Sequence, residues 1–317
     1  NLLSKSDYLK TELSSVESYD SSNSNSIPIS PSVNYINQIN FNNKELMNEL
    51  DFIILKRNSS NANSPSEIIK LNISNKLIDN HFYKDFTIFN NIEISNSFNE
   101  YIYNNDVKLN GNSYKSSLIF SSDVKYNNFQ NIDPGIKLIF PVQLLNTNKS
   151  INEDSKSITF NFQNQLSENR YFGYDLFDNS PRLVFLIDNN LKVLEQNVSL
   201  KINQTYDFRS NNSYSNAINQ KSRLSDYAIE AQTNYKNIIF EIDARLDQEN
   251  FSKKEMNYSL SYAGPISISL NYHETQSKAF KDLSNDTQTL DFSMSKKIND
   301  NISISYLSNM DIKNNYD

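Results

Sequence analysis

Apolar and polar residues take turns along this chain. Ile27, Ile29, Val33, Tyr35, Ile39 and Phe41 share one parity, while Ser30, Ser32, Asn34, Gln38 and Asn40 hold the other. The same alternation recurs through Leu46, Leu50, Phe52 and Ile54, then Ile69, Leu71, Ile73 and Leu77, then Phe86, Ile88, Ile92 and Ile94. Tyr114 to Tyr126 and Val198 to Phe208 continue it, and Ile136, Leu138, Phe140, Val142 and Leu144 form the most apolar set. It is cleanest near the end, where Ile238, Phe240, Ile242, Ala244 and Leu246 alternate with Glu241, Asp243 and Arg245. Met256 to Tyr262, Ile266 to Tyr272 and Ile302 to Tyr306 follow suit. A period of two places each set on one face of a strand. No stretch sustains helical spacing of comparable quality, so the chain is predicted all-β.

Alternation alone also suits a soluble sandwich, and the connections separate the two architectures. Tight turns are predicted at Asn42–Glu45, Lys236–Asn237, Ala263–Pro265 and Asn299–Asp300, and long polar connections at Arg57–Glu67, Asn99–Ser113, Gln248–Glu255 and Glu274–Thr289. Short and long joins therefore take turns, as in a membrane barrel with tight turns on one rim and loops on the other. A Greek-key sandwich has no reason for this order. Counting Ile158, Phe160 and Phe162 as a crossing would put two long loops in succession. Residues 146–181 are therefore read as one long extracellular loop, with room for a small hairpin. About fifteen crossings result, within the range of single-chain barrels. The expected fold is a large antiparallel transmembrane β-barrel, present as an incomplete fragment that occupies residues 1–317. Asn37 and Gln204 resist the scheme, because they fall on the face assigned to lipid, where an unpaired amide is costly.

Composition agrees with a wall that is apolar on one face only. Hydrophobic residues make up 37% of the 317 and mean hydropathy is -0.63, low for a soluble core of this size. Yet 19 Tyr and 19 Phe are too many for a disordered chain. A net charge of -7 offers no field for nucleic acid. There is no cysteine, hence no disulfide or thiolate metal site within this chain. No apolar run reaches the roughly 18 residues of a membrane helix. The chain opens on Asn1 without a signal peptide and stops on a polar tail. It is expected to be an internal piece of a longer secreted protein. With only 4 Gly, Asn is expected at turn positions that need positive φ.

Candidate chemistry is sparse. His81 and His273 lack neighbours at ligand spacing and are read as exposed strand-end or loop histidines. Glu153–Asp154 and the pair Asp175 and Asp178 lie in the long loop and are read as solvated. Glu241, Asp243, Arg245 and Asp247 form a charged ladder on one strand face, read as a lumen-facing network. Arg on the opposite, lipid face would cost about 2–4 kcal/mol near the midplane. No G-x-S-x-G, P-loop or dinucleotide fingerprint occurs, so neither catalysis nor a cofactor or metal is expected.

Some stretches carry more than a pattern. Ser150–Ser155, Glu168-Asn169-Arg170-Tyr171-Phe172-Gly173-Tyr174-Asp175 and Asn179-Ser180-Pro181-Arg182 resemble the "P-N-E-D-S … N-R-F-x-G-x-D-R … G-S-R" region of the LptD family of lipopolysaccharide-assembly proteins. Arg223-Leu224-Ser225-Asp226-Tyr227, Asp243-Ala244-Arg245-Leu246-Asp247 and Phe251–Tyr262 are similar to its downstream "R-L-S-D-Y … Y-R-x-R-L-D" run in alphaproteobacterial form. Pro31–Tyr35 resembles its "L-P-x-x-x-Y" entry to a barrel strand. The resemblance implies a cell outer membrane protein that inserts lipopolysaccharide into the outer leaflet. It implies as partners an LptE-like plug lipoprotein and an LptA-like periplasmic bridge. That bridge would be reached through an N-terminal jelly-roll domain that is not in this chain, and the barrel's terminal strands are expected to be absent too. The family's inter-domain disulfides cannot form from this chain alone. Polar contacts are expected from Glu241, Asp243 and Arg245 on the lumen face and from Arg170, Asp175 and Arg182 around the long loop. Two rival readings remain: a porin or other receptor barrel, and a soluble secreted sandwich.

Overall fold

A computed structural model describes residues 3–15, 29–56, 67–102, 111–127, 132–146, 160–171, 176–193, 196–209, 213–220, 222–281, 283–299 and 302–313. One antiparallel sheet of 15 strands runs through them in sequence order. Its first half comprises β1 (Leu3–Ser15), β2 (Ile29–Phe41), β3 (Lys44–Lys56), β4 (Glu67–Phe82), β5 (Phe86–Ile102), β6 (Gly111–Tyr126) and β7 (Ile132–Asn146). The second half comprises β8 (Arg182–Val193), β9 (Gln196–Asp207), β10 (Tyr227–Tyr235), β11 (Ile238–Leu246), β12 (Lys253–Ala263), β13 (Ser267–Thr275), β14 (Thr287–Asn299) and β15 (Ile302–Asp311). All are joined as hairpins, and the predicted crossing count is met. β1 and β15 each have a single neighbour, so these strands make an open barrel wall rather than a closed one.

Connections alternate as predicted except after β11, where the long join expected at Gln248–Glu255 is a six-residue turn because β12 already begins at Lys253. Joins after β2, β4, β6, β8, β10, β12 and β14 are short, whereas those after β3, β5, β7, β9 and β13 are long. Asn42 takes φ 54° in the β2–β3 turn, the position where Asn was expected to stand in for Gly. Lys236 adopts φ 53° in the β10–β11 turn without that help.

The two faces of the sheet are the reverse of a soluble protein's. Outward-pointing Ile94, Phe98, Ile136, Phe140, Phe185 and Ile187 are each between 43% and 50% exposed. The polar positions between them are covered instead: Asn72, Ser97, Asn99, Ser113, Ser121, Asn203 and Thr205 are buried. A second sheet over the greasy face would have produced the opposite. An apolar surface of this extent marks contact with hydrocarbon or a partner. No helix of the described residues is long and apolar enough to cross a membrane.

What covers the polar face is the chain itself. The segment from Phe160 onward folds back over it. This segment carries helix α1 (Phe162–Leu166) where a small hairpin had been allowed for. Phe160 and Phe162 are not a crossing, as the connection order required, and both are buried; Ile158 lies outside the described residues. Asn161 caps α1 by accepting from the Asn164 N–H at 2.7 Å. Leu166 and Phe177 pack on an apolar patch of the inner face made by Ile119, Ile139 and Val184. Helix α2 (Ser213–Ala217) joins from the β9–β10 connection, and Tyr214 and Ile218 complete a small core with Phe160, Tyr171 and Ala228. Residues of the 160–168 stretch touch Asn91 on β5 and Arg245 on β11. In a flat sheet those strands would stand roughly 29 Å apart, whereas α1 advances only about 7–8 Å. The wall therefore curls around its loop.

The two residues that resisted the lipid-face assignment are both partnered. Asn37 accepts from the Asn48 amide at 3.4 Å, and the two are register partners across β2 and β3. Gln204 donates to the Ser225 carbonyl at 3.1 Å. Asn90 with Ser122 and Asn96 with Ser116 repeat the device, again as cross-strand register partners. Pairing lets an outward polar group keep a hydrogen bond where water is scarce. Asn37→Leu is therefore expected to destabilise by about 1–3 kcal/mol, because it strands Asn48. The double replacement Asn37→Leu with Asn48→Leu should be close to neutral. Denaturant unfolding in lipid vesicles measures both, and additive costs would refute the pairing.

Candidate functional site

Two clusters of buried charge hold the folded loops against the wall. In the first, Arg170 lies in the loop and Asp207 ends β9. The Arg170 Nη2 and Nη1 groups donate to the two Asp207 carboxylate oxygens at 2.9 and 3.2 Å. Its Nε donates to Asp178 Oδ2 at 2.5 Å. Arg182, at the start of β8 and in register with Asp207, donates to the same Asp178 oxygen at 3.0 Å and to the carbonyls of Ser167 and Glu168. All four side chains are at most 2% exposed. Two guanidinium groups face two carboxylates, so the cluster is neutral. The Ser180 hydroxyl and the Gln220 amide fill further acceptor sites on Asp207. The Arg170 guanidinium also stacks 4.1 Å from the Tyr214 ring centroid.

Electrostatics inside the cluster are mutual. Burial opposes the charge on Arg170, but Asp178 and Asp207 outweigh it and raise its pKa. Burial likewise pushes Asp178 up, while Arg170 and Arg182 outweigh it, leaving a net lowering. The Tyr214 hydroxyl, raised by burial, stays protonated, donates to Asn164 at 2.7 Å and accepts from Gln165 at 2.9 Å.

The second cluster ties three connections together. Arg245, on β11, donates through Nε to Asp226 at 2.7 Å. Its other nitrogens reach the carbonyls of Ala279 at 2.8 Å and Ile218 at 2.5 Å, and its plane lies between Phe160 and Phe280. Lys254 bridges Asp226 and Asp247 at 2.8 and 2.9 Å. The β11–β12 register shifts between Arg245 and Leu246 at this point, the kind of local irregularity that re-aims side chains.

On the other side of the loop the attachment is lighter. Glu168 accepts from Lys137 at 2.9 Å, from Ser121 at 3.1 Å and from Asn91 at 3.4 Å, reaching β7, β6 and β5. Burial alone would raise the Glu168 pKa, but the Lys137 and Lys76 charges overcome it and hold it at about 2. Because the folded value lies below the usual 4.5, this contribution is fully present above about pH 4.5. It is lost as pH falls through about 2. Protease protection of the 160–171 segment is therefore expected to persist at about pH 4. Release already at that pH would show that Glu168 is not the tether.

Of the residues expected to matter, Glu241, Asp243 and Arg245 share the inner face of β11. Glu241 and Asp243 lie with Glu230, which takes Lys201 at 2.5 Å. Arg170 and Arg182 are in the loop region, but fully buried and engaged internally. Asp178 corrects one expectation: it is buried between two arginines, not solvated. Asp175, Glu153 and Asp154 lie outside the described residues. His81 sits 3.3 Å from Asp79, and His273 contacts Thr275. Sequence reasoning missed Asp207, Tyr214 and Lys254. Parity alone put Asp207 on the inner face with Asn203 and Thr205; its partner was not readable.

The short stretches noted in the sequence coincide with these clusters: Arg170, Ser180, Arg182, Asp226 and Arg245 all belong to them. Residues 112–302 match a protein-family model, LptD, described as LPS transport system D. That span runs from β6 to the start of β15 and includes both clusters. No curated protein sequence matches the chain.

Proposed function

Because the chain belongs to the LptD family, whose members serve lipopolysaccharide transport at the outer membrane, we propose that it forms wall and lumen of the translocon that inserts lipopolysaccharide into the outer leaflet. The observation that carries this reading is the inverted wall: apolar side chains outside, buried polar side chains inside, and loops folded onto the polar face. Such a wall keeps acyl chains and glycan on opposite sides of one sheet. Barrel interiors are polar for the same reason. In this reading the 146–181 connection is the extracellular loop, and the clusters hold it within the lumen. An LptE-like lipoprotein and an LptA-like bridge are the partners expected from family membership. Energy would enter elsewhere in the pathway, since transport of this kind asks the wall for no bond-breaking step.

The test is depletion. Cells from which the protein is withdrawn should lose lipopolysaccharide from their surface, as scored by antibody labelling of intact cells, while total lipopolysaccharide remains. Unchanged surface labelling would reject the role. A porin would instead show its effect as lost uptake of small solutes with normal labelling.

A further inference from the structure

At the end of β9 the greasy outer face finishes in an aromatic patch. Tyr206 continues the outward parity, in register with Leu183 of β8, and its ring meets Phe208 edge to face at 5.5 Å. Leu224 bridges to Tyr206 from the following connection. At the same end of the wall Phe251 stacks on Tyr227, with 5.1 Å between ring centroids. Phe208, Leu224 and Phe251 are 48%, 39% and 62% exposed. Phe251 holds its ring there at φ 56°. A bulky residue takes that conformation only at a cost, and such strain gathers at functional positions.

Charge on this rim is unevenly placed. Arg170, Arg182 and Arg245 are buried, each against a carboxylate. Arg209 and Arg223 are exposed and have only neutral partners among the described residues. Arg209 donates to the Asn179 carbonyl at 3.3 Å, and Arg223 donates to the Tyr206 hydroxyl at 3.4 Å. The second bond sets the Arg223 guanidinium at the edge of the aromatic patch. Nearby carboxylates already have cations: Lys254 takes Asp226 and Asp247, and Lys253 takes Glu274. The exposed Glu249 is the exception. A guanidinium matches phosphate oxygens with paired donors. Aromatic rings suit the depth at which acyl chains give way to headgroups. A free anion would leave the patch uncovered, and a zwitterionic lipid would set its own cation against the arginines.

We propose that this patch docks a lipid with an anionic phosphate headgroup. Arg223 holds the phosphate with help from Arg209, and the acyl chains lie over Tyr206, Phe208, Leu224 and Phe251. The inference rests on the reading that the outer face meets membrane. It adds a fixed lipid position on the rim that carries the 146–181 connection.

The chain has no tryptophan, so Phe251→Trp gives the intact protein a single reporter. It is refolded into phosphatidylcholine vesicles holding a minority of phosphatidylglycerol, with bromine on the acyl chains of one lipid or the other. Brominated phosphatidylglycerol should quench as though enriched about fivefold, the effect of one cation at an anionic lipid surface. Arg223→Gln should abolish the enrichment, Arg209→Gln should reduce it, and excess inorganic phosphate should leave it in place. If Phe251→Trp does not fold, Tyr227→Trp carries the same test. Quenching in proportion to abundance overturns the proposal. So does enrichment that survives Arg223→Gln, or enrichment that inorganic phosphate removes. A Phe140→Trp control keeps the membrane reading separate. If that reporter is quenched while the rim shows no preference, only the lipid site falls; if neither reporter is quenched, the outer face does not meet lipid and both fall.

Discussion

Replacing Asp207 with alanine will destabilise the protein by about 3–5 kcal/mol, the cost of breaking a buried ion pair from one side. Asp207 takes both outer nitrogens of Arg170, together with the Ser180 hydroxyl and the Gln220 amide. Without it, Arg170 and Arg182 share the single carboxylate of Asp178 in a space closed to water. One guanidinium is then uncompensated, and the loop must lift to hydrate it. The expected signature is a lower urea midpoint together with protease cleavage within 160–181, while the strands remain resistant. Arg170→Met combined with Asp207→Leu should recover much of the loss, because apolar replacement of a whole buried pair is often neutral or better. A loss below about 1 kcal/mol for Asp207→Ala would mean the pair behaves like a surface salt bridge and the loop is held by something else.

Phe140→Arg is expected to cost about 2–4 kcal/mol in a bilayer, the penalty for a cation on the lipid face near the midplane. Phe140 is 50% exposed and lies between Leu138 and Val142 on the outward parity of β7. In a soluble protein, arginine at a half-exposed position would change stability by less than about 0.5 kcal/mol. The control is Ser259→Arg on the inner parity of β12, directly across from Glu241, where a cation finds a carboxylate and should be tolerated. Refolding into lipid vesicles with denaturant titration separates the two. Equal tolerance at both positions would show that the greasy face does not meet hydrocarbon.

Much of the fold was legible because it depends on near neighbours. Side-chain parity along Ile136–Leu144 or Ile238–Leu246 is set by the pleat within each strand. Dismissing Ile158–Phe162 as a crossing needed only the order of short and long joins. What parity could not supply was the fate of the polar face. Ser121, Asn203 and Asp207 hold the polar parity of their strands, yet they are buried under the returning loop. A polar side chain looks the same in sequence whether its partner is water or an arginine brought in from another connection. The same limit explains Asp178, which was read as solvated.

By itself the sequence determined an antiparallel run of hairpins with one greasy face, and short family stretches that pointed to lipopolysaccharide transport. Both signals are local, carried by residues two apart or by contiguous motifs. Only the tertiary structure decided what those motifs do here. Arg170 meets Asp207 across 37 positions of sequence, and Arg245 meets Asp226 across 19. Such pairings depend on where the curled wall and the returning loops bring charges together, a geometry that no local pattern encodes.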